Sequence, residues 1–136
     1  MKLPHKAHVA LLDGENFTLF CNDGQALEPK LVEIESPSLD ATNFSAGVRH
    51  QDDGGQKLGN TQLGELAHGA AATEWLNAKA IAGEIEALLI IADPKTLGEM
   101  RQHYHTELTK RVIGEIAKTL TGQPTKAIET AIIAAD

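Results

Sequence analysis

Between His8 and Asp13 the chain reads HVALLD. The run is too continuous for a strand exposed on one face and too short for a helix, so it predicts a buried strand. Asp13-Gly14 breaks it. Phe17, Leu19 and Cys21 then recur at every second position, and the short DGEN connection makes Ala7 to Cys21 a hairpin. Leu31, Val32 and Ile34 lie between charged residues and predict a third strand ending near Ser36, which completes a meander.

Ser36 to Asn60 holds two glycine-rich clusters, a proline and little apolar periodicity, and is expected to be a long, mobile loop. From Thr61 the period changes. Leu63, Ala67, Ala71 and Trp75 form an i, i+4 row that predicts an amphipathic helix to Lys79. Gly69 inside it costs up to about 1 kcal/mol relative to alanine, which points to a close packing contact. Glu86 to Asp93 (EALLIIAD) suits a central strand covered by helices. Pro94 starts the next helix, with Leu97, Met100 and Tyr104 at helical spacing down to His103-Tyr104-His105. Leu108, Val112, Ile113, Ile116 and Leu120 predict one continuous helix from Thr106, and Lys126 to Ala135 predicts a last one with Ile128, Ile132 and Ile133 inward. The element order predicts one α/β domain over residues 1–136, a sandwich with four strands in one mixed sheet. Leu11, Leu89, Ile91, Val112 and Ile116 are its expected core.

Composition narrows the class. With 42% hydrophobic and 23% charged residues the chain has the balance of a soluble globular domain. A lone cysteine, Cys21, allows no intramolecular disulfide and suits a reducing compartment. The longest apolar run, Ala87 to Ala92, is far below the roughly 20 residues that span a bilayer. The apolar stretch behind Lys2 and Lys6 ends at Asp13 without a small-residue cleavage site. These features predict a cytoplasmic protein with no membrane partner. A net charge of -7 opposes non-specific nucleic-acid binding, so any RNA contact must be local.

The segment from Leu88 to Pro124, LLIIADPKTLGEMRQHYHTELTKRVIGEIAKTLTGQP, carries a dense pattern: Pro94, Thr96, Leu97, Gly98, Arg101, His105, Arg111, Val112, Glu115, Ile116, Lys118, Leu120 and Thr121. In that order these residues resemble the signature half of the bacterial host-attachment protein family, itself related to the central domain of archaeo-eukaryotic class-1 release factors and of Pelota. The Asp13-Gly14 hairpin is similar too, and Trp75-Leu76-Asn77-Ala78 falls where the family ends its long helix. Thr119 stands where relatives commonly carry an aspartate. The resemblance implies a ribonuclease-H-like, release-factor-central-domain-like fold and a translation-associated role. Within these 136 residues no stop-codon-reading or partner-binding domain is expected beside that one.

Gly54-Gly55-Gln56 is the most pointed chemical motif. In release factors a GGQ tripeptide lies after the third strand and before the long helix, and this copy has the same place in the predicted order. Two glycines let the backbone approach an ester closely, and the glutamine amide can orient water and stabilise an oxyanion. Asp52 and Asp53 in front of it suit an RNA-built site poorly, and a plain turn explains the same residues. Arg101, His105, Arg111 and Lys118 concentrate positive charge in an otherwise acidic chain, a candidate surface for ribosome or tRNA; pairing of Arg111 and Lys118 with Glu107 and Glu115 is the plainer account.

No metal or other cofactor is expected. His103 and His105 are two apart and cannot share a metal on one helix, and Glu99, His103 and Glu107 read as a solvated row. Asp13 and Asp93 each follow a buried strand, where a nuclease would hold carboxylates, but a hairpin turn and a helix cap account for them. Two functions therefore stand: a translation- or ribosome-associated binding protein, and a peptidyl-tRNA ester hydrolase acting through the GGQ loop. The oligomeric state is open.

Overall fold

The computed structural model describes residues 1–37, 39 and 56–135. Gly54 and Gly55, with most of the predicted loop, lie outside the described residues. The elements in chain order are β1 (His8–Leu12), β2 (Phe17–Asn22), β3 (Leu31–Glu35), α1 (Gln56–Ile81), β4 (Leu88–Ala92), α2 (Pro94–Arg101), α3 (Thr106–Arg111), β5 (Val112–Ala117) and α4 (Thr125–Ala134). The strands form one mixed sheet in the order β3-β2-β1-β4-β5, with β1 antiparallel to β2 and parallel to β4, and β4 parallel to β5.

Strand alternation divides the core in two. Ala10, Leu12, Phe17, Leu19, Leu88 and Ile90 face α1, α2 and α3, packed on the buried line Ala72, Leu76 and Ala80. Phe17 meets Trp75 edge to face, ring centroids 5.4 Å apart. Val9, Leu11, Phe20, Leu89 and Ile91 face α4 and its Ile128 and Ile132. Because both faces are covered, β4 is buried at all five positions, which is why its sequence is apolar throughout.

Buried Asn22 closes the β2–β3 turn. Its Nδ2 donates to the Leu3 carbonyl at 2.8 Å, and its Oδ1 accepts from the amides of Gly24 (2.8 Å) and Lys30 (2.9 Å). Gly24 is required there, because a Cβ would lie 2.5 Å from the Glu28 carbonyl oxygen.

Three expectations need correction. The helix predicted from Thr106 to Leu120 stops at Arg111, and Val112–Ala117 is instead a fifth strand. Spacing by four residues fits an even strand period as well as a helix, while β-branched Val112, Ile113 and Ile116 and the intervening Gly114 favour the strand. A bulge sets Leu88 opposite Val112 but Leu89 opposite Gly114, so Ile113 is extruded and 40% exposed. Val112 consequently packs, half-buried, on the α1 side and Ile116 on the α4 side. Second, α1 begins at Gln56, five residues before Thr61. Third, Ile133 is 36% exposed, because one face of α4 turns Ile128 and Ile132 inward and leaves Ile133 at its margin.

Candidate functional site

Gln56 is the first residue of α1, the longest helix, and follows β3 in the element order. From there α1 runs to the connection between α2 and α3, where the other candidate residues begin.

Asp93 caps α2: its Oδ2 accepts the Thr96 amide at 3.1 Å, with Pro94 in the first turn. At the other end of α2, Arg101 donates from Nε (3.0 Å) and Nη2 (2.7 Å) to one oxygen of Glu115. The second oxygen of Glu115 accepts from Tyr104 Oη at 2.6 Å. The bulge in β5 makes this possible, because it turns Glu115 to the side of the sheet on which α2 lies. Burial alone would raise the Glu115 carboxyl, yet the hydrogen bonds from Arg101 and Tyr104 hold it below its ordinary value. The Tyr104 phenol is pushed up by burial and by donating to that carboxylate.

His105 caps α3. Its Nδ1 accepts the Glu107 amide at 3.0 Å, which requires the tautomer protonated at Nε2. His103 faces elsewhere, its Nε2 2.8 Å from Glu99 Oε2. The two histidines thus serve separate elements, and among the described residues no group of three or more His, Cys, Asp or Glu side chains is placed to hold a metal ion.

Arg111 ends α3 and donates from Nη1 to the Glu107 carbonyl (2.8 Å) and Oε1 (3.0 Å); Lys110 takes the other Glu107 oxygen at 3.1 Å. Arg111 therefore pairs with Glu107 as the plainer account expects, but Glu115 is taken by Arg101 rather than by Lys118. The strand also changes the spacing. Seven residues of helix would separate Arg111 from Lys118 by about 10 Å, whereas a route through β5 stretches this to about 20 Å. At physiological salt, where screening acts over about 8 Å, Lys118 belongs to a different electrostatic neighbourhood from Arg111.

That neighbourhood is the carboxyl edge of the parallel strands. Leu12, Ala92 and Ala117 are aligned across β1, β4 and β5, so Asp13, Asp93 and Lys118 leave the sheet side by side. The chain leaves β4 for α2 on one face and β5 for α4 on the other, an arrangement that opens a crevice between strand ends. Asp13, Glu15, Asp93 and Thr119 line a cleft of about 340 Å³ there. Asp13 Oδ1 accepts the amides of Glu15 and Asn16, both at 2.7 Å, and its Oδ2 accepts from Thr121 Oγ1 at 2.6 Å. Burial would raise this carboxyl, but those hydrogen bonds bring it down to about 2. Asp93 Oδ1 is buried, with no hydrogen-bond partner among the described residues. His68 of α1 donates through Nδ1 to the Asp13 carbonyl at 3.1 Å, and burial lowers its pKa. The sequence marks Asp13 and Asp93 as a turn and a cap, and both roles are present. What it does not reveal is Lys118 and Thr119 beside them, because that depends on β5 being a strand.

No match to this chain is found among curated proteins. Residues 6–132, which take in every strand and all but the last two residues of α4, match the bacterial archaeo-eukaryotic release factor family 12, and the chain belongs to that family.

Proposed function

We propose that this protein acts in translation as a binding protein for the ribosome or tRNA. The observation that carries the reading is the family match together with the position of Gln56 at the head of the long helix that follows β3. Arg101 and Arg111 give the reading its contact surface. Both lie at helix ends, where cations complement the carboxyl-terminal dipole, and both offer guanidinium groups that can exchange a carboxylate for a phosphate. An acidic chain reaches RNA only through such local features.

The second reading, a peptidyl-tRNA ester hydrolase, rests on the GGQ tripeptide. Gly54 and Gly55 would let the backbone close on the ester, and the Gln56 amide would orient the attacking water; the carbonyl–oxygen bond breaks and the tRNA hydroxyl leaves with a proton.

One pair of measurements separates them: co-sedimentation with ribosomes at low salt, and release of a labelled peptidyl-tRNA by wild type and Gln56→Ala. Co-sedimentation without release, weakened by Arg101→Ala/Arg111→Ala in a folded protein, supports binding. Release that is lost in Gln56→Ala supports the hydrolase. Neither association nor release would overturn both.

A further inference from the structure

Arg101 and Arg111, the two arginines among the described residues, are both held by carboxylates of their own chain, but on unequal terms. Arg111 stays within α3, where Lys110 shares Glu107 with it; two cations on one carboxylate leave a net charge of +1 there. The Arg111 guanidinium also donates to the Glu107 carbonyl, and its side chain is only 24% exposed. Arg101 reaches from α2 across to β5 instead, and Glu115 cancels its charge one for one.

The Arg101 pair is built so that it can open. The Arg101 side chain is 55% exposed, and among the described residues its guanidinium has no hydrogen-bond partner besides Glu115, so it can swing into solvent. Glu115 cannot follow it, since its backbone is fixed in the ladder opposite Ile90 of β4 and its side chain is only 22% exposed. Nor is that carboxylate stranded when Arg101 leaves. Tyr104 Oη still donates to its second oxygen at 2.6 Å, which lowers the cost of the exchange.

We propose that Glu115 is a built-in competitor for phosphate at Arg101, so that the contact surface is closed in the free protein and opens when RNA displaces the carboxylate. The inference rests on the reading of this surface as one that meets ribosome or tRNA. A guanidinium whose Nε and Nη2 both meet one carboxylate oxygen presents the same two donors to a phosphate oxygen. Glu115 is tethered beside Arg101, so an isolated anion competes with it poorly. A polyanion already held at Arg111 and Lys110 brings further phosphates to a comparable local concentration and wins the exchange. Arg101 is therefore the arginine that moves, and the closed pair selects a chain of phosphates over a single one.

Affinity for labelled deacylated tRNA and for ribosomes, measured on the full chain at low salt, tests it. Glu115→Gln should bind at least about threefold more tightly than wild type, because a larger fraction of Arg101 is then free. Glu115→Asp keeps the charge but draws it back by one methylene; it should change affinity in the same direction, and decides the matter if Glu115→Gln does not fold. In an Arg101→Ala background neither substitution should alter affinity. In wild type the Arg101 Nε signal, followed by nitrogen NMR, should move on addition of tRNA and stay in place with inorganic phosphate at the same phosphate concentration. Unchanged or weaker binding by folded Glu115→Gln, or a gain that survives in Arg101→Ala and so reports only lost negative charge, would overturn the proposal and leave the binding reading standing. Absence of binding to tRNA and ribosomes in wild type and Glu115→Gln alike would overturn that reading and the proposal with it.

Discussion

The Asn77 Oδ1 of α1 accepts the His105 amide at 3.0 Å, while its Nδ2 donates to the His103 carbonyl at 2.9 Å. One buried amide, 5% exposed, thus clamps both sides of the connection between α2 and α3. This fixes His105 as the cap of α3 and sets Tyr104 against Glu115.

Asn77→Ala removes the side-chain partner of both the part-buried His105 amide and the part-buried His103 carbonyl. A loss of about 2–3 kcal/mol is expected in urea unfolding. A change under about 0.5 kcal/mol would show that water replaces the clamp.

Asp13 makes stability depend on acid in a defined window. Its folded pKa, about 2, lies below the ordinary carboxylate value, so the ionised form is favoured by folding. The contribution is fully present above about pH 4 and is lost as the pH falls through 4 towards 2. Asp13→Asn should cost on the order of 1 kcal/mol at pH 7 after allowance for solvent screening. Chemical denaturation of both proteins across that range should find the difference shrinking towards pH 2, and a constant difference would contradict the assignment.

Tyr104→Phe deletes one of the two donors that hold Glu115 ionised. Stability should fall by about 1 kcal/mol. The Glu115 carboxyl, followed by side-chain carbonyl NMR, should titrate at a higher pH than in wild type, and an unchanged midpoint would remove Tyr104 from the account.

Two glycines should respond oppositely to alanine. At Gly24 the new Cβ meets the Glu28 carbonyl oxygen at 2.5 Å and the Lys30 nitrogen at 2.7 Å, which are backbone atoms that cannot yield cheaply. A loss of at least about 2 kcal/mol is expected. At Gly69 the nearest atom is Thr96 Cγ2 at 3.5 Å, an ordinary contact. Gly69→Ala should therefore gain about 0.5–1 kcal/mol of helix propensity, read as a higher melting temperature. The close packing contact expected at Gly69 from the sequence is absent, since the space for a methyl group is there.

Much of the fold is legible in single residues. The unbroken apolar run at Leu88–Ala92 announces a strand covered on both faces, and Asp13-Gly14 and Asp93-Pro94 announce a turn and a helix start through the hydrogen bonds their carboxylates can make locally. Such features depend on neighbours in sequence, so the sequence by itself determines them. The stretch from Val112 to Ala117 is different. Its spacing fits strand and helix alike, and the choice falls to the open edge of β4, where a parallel partner completes a ladder that a helix would leave unpaired. That choice carries the site with it. As a strand the segment brings Glu115 to Arg101 and Tyr104, and sends Lys118 to the end of the sheet beside Asp13 and Asp93. Long-range pairing decided these neighbours, because hydrogen bonds to a strand more than twenty residues away in sequence outweigh a weak local preference.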